Sequence, residues 1–345
     1  MTGTLGISPE TLHARLYQKN ILAPLSPAAA ELLRIVSKPE KEIEVRELAK
    51  HVSVDPMLTA KVLRMANSPY YATLKRIETV RHAIMVIGLV EAGDFLTFQL
   101  MKGRLAASTT FQHFASDDFW LHCYAVGTVA RSLGNPTYLV QTLPSELYLA
   151  GLLHDIGKMV MAVQIPGEFQ ACLKRAHSAQ IPLFQAERQL LGIDHARVGA
   201  DILTQWKMSP RVARSVGFHH FPDKADEEIC EICQLVEFAN LLVNIHGPGQ
   251  SGSPAGHDLS QSSVMRNDMR PLASEETQQS IYKRIIEPLV ERSEIVLEKE
   301  AEEGEESPQE PQPQAAPKPS SHVPAQRQPS LWNRCVSRVR SAIGL

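Results

Sequence analysis

Residues 150–159 read AGLLHDIGKM. A lone histidine on an apolar helix is ordinary core. Here His154 is followed at once by Asp155, and Lys158 stands three residues further on. On one helix the adjacent imidazole and carboxylate could both reach a single cation. A cation three residues from Asp155 shares its helical face. Mixed nitrogen and oxygen ligands suit Fe, Mn, Zn or Ni, with geometry setting the selectivity. Outward from this stretch, further histidines lie in similar settings: His122 in FWLHCYAVG, His195 in LGIDHARVGAD, and His219-His220 in VGFHHFP.

The surrounding sequence predicts an all-α protein. Ser26-Pro27, Asp55-Pro56 and Ser209-Pro210 each place a capping side chain before a proline, the pattern that accepts a free N–H and fills the first helical position. Gly88, Gly134, Gly192 and Gly247 follow periodic stretches as helix stops. Leu58, Val62, Leu63 and Ala66 recur at helical spacing, as do Ile232, Leu235, Val236 and Ala239. About a dozen short helices are expected before residue 247. The expected division is an N-terminal helical bundle over 1–115 and a second helical core over 116–247. A linker over 248–274 and a helix within 275–300 would follow. Residues 301–330 are acidic, then rich in proline, and predict a disordered tether. In 331–345, Trp332, Val336, Val339 and Ile343 share one helical face beside Arg334, Arg338 and Arg340. That pattern suits a basic amphipathic helix that docks on a membrane surface or a partner.

Composition narrows the function classes. The 345 residues are 43% apolar and 21% charged, with a net charge of −3, which argues against a strongly basic nucleic-acid binder. LAKHVSVDPMLTAKVLRMANS (48–68) has a helix-turn-helix cadence, yet residues 1–115 hold 14 Lys and Arg against 10 acids, a small surplus for binding duplex phosphates. The longest near-continuous apolar run, Ile84–Val90, falls far short of the ~20 residues of a membrane span. The first ten residues show neither a basic nor an apolar leader segment, and the five cysteines form no disulfide framework. A reducing cytoplasm is the expected location. Cys230-x-x-Cys233 has no second cysteine pair to complete a zinc site.

Taken together, DPMLTAKVLRMANSPYY (55–71), AIMVIG (83–88), the Trp120/His122 region, AGLLHDIGKM (150–159), LGIDHARVGADILTQW (191–206) and VGFHHFP (216–222) resemble the HDOD family. These are the output-domain relatives of HD-type metal phosphohydrolases, and the resemblance runs from about Leu22 to Val243. It implies a multi-helix bundle with an HD-like helical core. From the phosphohydrolases it carries metal ligation onto His122, His154 and Asp155. From their multi-metal cyclic-dinucleotide phosphodiesterases it extends ligation to His195, His219 and His220. Lys158 matches a lysine that contacts substrate phosphate there, so Asp155 and Lys158 are the candidate catalytic pair if the chain is an enzyme.

Two departures weigh against catalysis. The late-helix aspartate that closes such sites aligns with Asn240 in LVEFANLLV, which brings no charge, and Glu237 one turn earlier is the possible substitute. With Asp155 the one aligned carboxylate, two divalent ions would leave about +3 uncompensated in a low-dielectric site. The Gly-Tyr-Pro segment that shapes a cyclic-dinucleotide site is also missing after His220, where the chain reads FPDKADEEICEIC. The resemblance therefore points to a non-catalytic signal-transduction output or scaffold module of bacteria that contacts signalling proteins, with or without a divalent transition metal. The rival is a metal-dependent phosphohydrolase acting on a nucleotide or cyclic dinucleotide.

Overall fold

The structure is a computed structural model. It describes residues 6–291 apart from 19–22, 24, 106–108, 135–141, 255–258 and 267–269. The expectations for 301–330 and 331–345, and for the end of 275–300, lie outside the described residues. The described residues up to Val290 form one compact unit.

This unit is built almost wholly from helices. α1 (Pro9–Leu16), α2 (Pro27–Val36), α3 (Val45–Val52), α4 (Pro56–Ala66), α5 (Val80–Ile87) and α6 (Leu89–Arg104) come first. A two-residue antiparallel pair, β1 (Thr110–Phe111) with β2 (Phe114–Ala115), then turns the chain. α7 (Ser116–Leu133), α8 (Pro144–Leu153), α9 (Ile156–Gln164), α10 (Pro166–Ala179), α11 (Leu183–Leu191), α12 (His195–Gln205), α13 (Pro210–Phe218) and α14 (Glu227–His246) follow. The capping signals act largely as expected. Ser26 accepts from Ala29 N, and Asp55 accepts from Met57 N and Leu58 N. Ser209 leaves the work to Pro210 and makes no side-chain cap.

The core of the second half lies where α7, α8 and α14 meet. Val126, Val129, Leu147, Leu235, Phe238 and Leu242 are all buried there. α14 is long and apolar enough to cross a membrane, but its apolar residues supply this core.

The chain after residue 247 departs from the expected linker. Val264 and Leu272 insert into the same core, joined by Ile281 from α15 (Glu275–Ile281), Ile286 from the π-turn Tyr282–Ile286 that continues it, and Leu289 just beyond. Each such side chain gains about 1.5–3 kcal/mol from burial. Glu237 Oε2 accepts from Ser263 N at 2.8 Å and from the Ser262 and Ser263 hydroxyls. A polar, Gly/Ser/Pro-rich composition hid two well-placed apolar anchors, so the described part of 248–274 is a packed strap. The core therefore extends beyond residue 247.

Candidate metal centre

The HD pair sits at a break between helices rather than on one. α8 ends at Leu153, His154 caps it, and Asp155 at φ −102°, ψ 7° starts α9. The bend turns both side chains into the protein, where each is fully buried. α9 then runs close to the start of α12. A Cβ at Gly157 would lie 2.0 Å from the His195 carbonyl oxygen, so only glycine permits the crossing that brings His195 to Asp155.

The predicted residues converge. His122 comes from α7, His195 from α12, and His219-His220 from the end of α13. His154 Nε2 is 3.2 Å from Asp155 Oδ2, while His195 Nε2 and His219 Nε2 are 3.1 and 3.7 Å from Oδ1. His220 Nε2 lies 2.9 Å from His195 Nε2. Two groups have ligand atoms within 4.8 Å of one another: His122, His154 and Asp155, and His195, His219 and His220. All of these are buried except His220, which is partly exposed.

Tautomers follow from the partners. His154 Nδ1 donates to the Gly151 carbonyl at 2.8 Å, and His219 Nδ1 donates to the Val216 carbonyl at 2.7 Å. A carbonyl only accepts, so in the neutral ring form His154 and His219 each turn a bare Nε2 toward Asp155. Those two nitrogens, both ring nitrogens of His122 and Asp155 Oδ1 are buried without hydrogen-bond partners. Lone pairs that face a carboxylate repel it unless a proton or cation lies between them. This orphaned donor set fits a divalent transition metal.

Electrostatics reinforce the picture. Burial, then the neighbouring His154, pushes the His122 imidazole down to about 3, so it is neutral. Burial and the adjacent imidazoles likewise hold His219 and His220 well below the usual histidine range. Burial alone would raise Asp155, but His154 and the Lys158 ammonium hold its carboxyl well below the usual carboxylate range. Burial opposes charge on His195 too, yet the Glu187 carboxylate overcomes it and lifts the imidazole to about 9.

Lys158 is spoken for. Its Nζ lies 2.6 Å from Asp155 Oδ2 and 3.1 Å from Ser251 Oγ. Ser251 belongs to the strap, which crosses α7 beside His122. Gly249 takes φ +80°, and a Cβ there would meet the Asp118 carbonyl at 2.2 Å. Gln250 N donates to that same carbonyl at 3.2 Å.

The two proposed last ligands differ. Asn240 stands beside His122 and accepts from Asn244 Nδ2 at 2.7 Å. Glu237 is turned away to the 262–263 turn and is not available to replace an aspartate. Two contributors escaped the sequence reading. Glu187 Oε2 accepts from His195 Nδ1 at 2.6 Å and from His195 N at 2.9 Å. Its signal was an acid at the spacing of the buried Leu183 and Ala186. Ser251 gave no signal at all. A third grouping, Glu31, Glu47 and His51, is partly exposed. Arg34 and Lys38 already engage its carboxylates.

Comparison with known proteins agrees with this architecture. The model of the HDOD domain family matches residues 22–222. The chain belongs to the HDOD domain family. An HDOD domain protein of Geobacter sulfurreducens has a solved structure that superposes with a TM-score of 0.58 at 20% identity, covering 85% of this chain and 96% of that one. A candidate signal transduction protein of Marinobacter aquaeolei gives 0.65 at 20% identity, covering 84% and 64%. A candidate phosphohydrolase of Shewanella amazonensis gives 0.57 at 24% identity, covering 82% and 98%. These likenesses carry the all-α HDOD fold. An uncharacterised Treponema pallidum protein is 25% identical over 213 residues, which is 62% of this chain. The chain spans 40% of the length of that curated relative.

Proposed function

We propose that this HDOD protein is a non-catalytic signal-transduction module that works through contacts with other proteins in the cytoplasm. The observation that carries this reading is Lys158. A substrate-binding lysine must present its ammonium to a phosphate, yet here it is 2% exposed and committed to Asp155 and Ser251. The strap lies over the same residues. Asn240 supplies no charge and Glu237 points elsewhere, so Asp155 is left as the lone carboxylate among the aligned ligands.

A second reading, a metal-dependent phosphohydrolase acting on a nucleotide or cyclic dinucleotide, is favoured by the orphaned nitrogens of His122, His154 and His219. His122, His154 and Asp155, with His195, His219 and His220, would hold the metal. Bound there, Fe, Mn, Zn or Ni would supply Lewis acidity that lowers the pKa of a coordinated water. In the first reading the same metal would be a structural centre.

Metal analysis of the purified protein, followed by a nucleotide and cyclic-dinucleotide panel with added Mn or Fe, separates the two. We expect no hydrolysis of cyclic di-guanylate. Turnover by the unmodified protein that disappears in His154→Ala would overturn the non-catalytic reading.

A further inference from the structure

The face that carries signalling contacts can be sought where the fold spends apolar side chains on solvent. Seven large apolar residues stand exposed among the described residues, and five of them fall between Val54 and Met85. Val54, in the turn between α3 and α4, is 75% exposed, and Met57 three residues later is 64% exposed. Met85 is 64% exposed on α5, opposite the buried Ala83, Ile84 and Ile87. Leu74, on the loop between α4 and α5, is fully exposed. α5 packs on both α3 and α4, so these positions belong to one helical unit.

Charge on the same unit is one-sided. Residues 45–87 hold seven Lys and Arg against three acids, in a chain whose net charge is −3. Lys75 and Arg76 adjoin Leu74. Arg81 lies one turn before Met85 on the same face of α5. None of these three cations enters an ion pair among the described residues, whereas Arg34 and Lys38 on the neighbouring segment are both paired with acids.

We propose that the α3–α5 unit is the docking surface for an acidic segment of a partner protein, anchored by apolar side chains. This rests on the non-catalytic reading and names the chemistry of its partner. Apolar anchors ringed by charge are the anatomy of a protein interface, and methionine adapts to varied partners. A nucleic-acid interface would be more polar and far more basic. Lys75, Arg76 and Arg81 would steer an acidic partner and fix its register, and Met57 and Met85 would take up its apolar side chains.

Selection of a random-peptide display library on the full chain tests this. A parallel selection uses two variants, Met57→Ser/Met85→Ser and Lys75→Glu/Arg76→Glu/Arg81→Glu. The substituted methionines are mostly solvent-exposed, so both variants should keep the wild-type circular dichroism spectrum. Enriched peptides should carry net negative charge with apolar residues three or four apart. A synthesised winner should bind at least ~10-fold more weakly to each variant. Its affinity should fall as salt rises from about 50 to about 300 mM. Winners without acidic bias, or winners that bind both variants unchanged, would overturn the proposal. So would patch-dependent binding of phosphatidylserine vesicles or duplex DNA in place of peptide. A failed selection with no nucleotide hydrolysis sinks the surface and spares the non-catalytic reading; observed hydrolysis sinks that reading whatever the peptides do.

Discussion

Two of the buried carboxylates that face cations, Asp94 and Asp155, are not equivalent. Asp94 on α6 meets the Arg131 guanidinium at 2.5 Å, with Tyr148 donating to the Asp94 carbonyl and stacking under Arg131. Its set is small: one acid and one base, with a single unspent N–H at Arg131 Nε and Arg131 20% open to water. Asp155 meets the Lys158 ammonium, but four imidazoles crowd in around the pair and leave nitrogens unspent. A buried charge alone therefore does not mark a site. Lone pairs aimed at a carboxylate with nothing between them do.

The largest effect should come from opening the Asp155 pair. Asp155→Ala strands a fully buried ammonium, and breaking such a pair costs about 3–5 kcal/mol. Urea denaturation should show that loss, and metal analysis should show no bound transition metal in His154→Ala/Asp155→Ala. Adding Lys158→Met to Asp155→Ala should restore at least half of the stability, since the stranded charge is gone. Asp94→Ala should cost less, because Arg131 can reach water. Equal losses at the two sites would erase the contrast.

Much of this centre was legible in the chain. His122, His154, Asp155, His195, His219 and His220 were all identifiable from motif and residue type, and the fold brings them together. What escaped was set by tertiary packing. The bend at His154-Asp155 depends on the close approach of α9 to α12 at Gly157, which no local propensity reports. Glu187 reads as an ordinary surface acid until its helix is docked. The 248–274 segment looks like a linker by composition, because two residues, Val264 and Leu272, do its packing. Polar averages conceal isolated anchors.

A second contrast concerns pH. Burial raises the Asp94 carboxyl to about 7, with Arg131 offsetting part of the rise. The folded value lies above the unfolded one, so the folded state binds the extra proton. The contribution to stability is complete below about pH 4 and is lost as pH climbs through 7. Asp94→Asn should flatten this decline, by at most about 4 kcal/mol between pH 4 and pH 8. Asp155 is shifted the other way and cannot produce the same slope. Parallel urea titrations of wild type and Asp94→Asn at several pH values test this. Identical slopes would mean that Arg131 keeps Asp94 charged throughout.

The smallest effect concerns how the strap is fastened over the centre. Ser251 is 4% exposed, and its hydroxyl takes one of the three Lys158 N–H groups while Asp155 takes another. Hydrogen bonds to charged groups contribute about 1.5–3 kcal/mol. Ser251→Ala should fall at the lower end, near ~1.5 kcal/mol, because Lys158 keeps its Asp155 contact. The strap has other fastenings: Gln250 N on the Asp118 carbonyl, and His177 Nε2 donating to the Gly252 carbonyl at 3.1 Å. The substitution should therefore loosen the strap locally without unfolding the helices. Hydrogen exchange should quicken over 249–252 and stay unchanged at the α7–α8–α14 core. If exchange over 249–252 does not change and stability falls by less than ~0.3 kcal/mol, the strap is held by its backbone alone. Lys158 would then depend on Asp155 for its place.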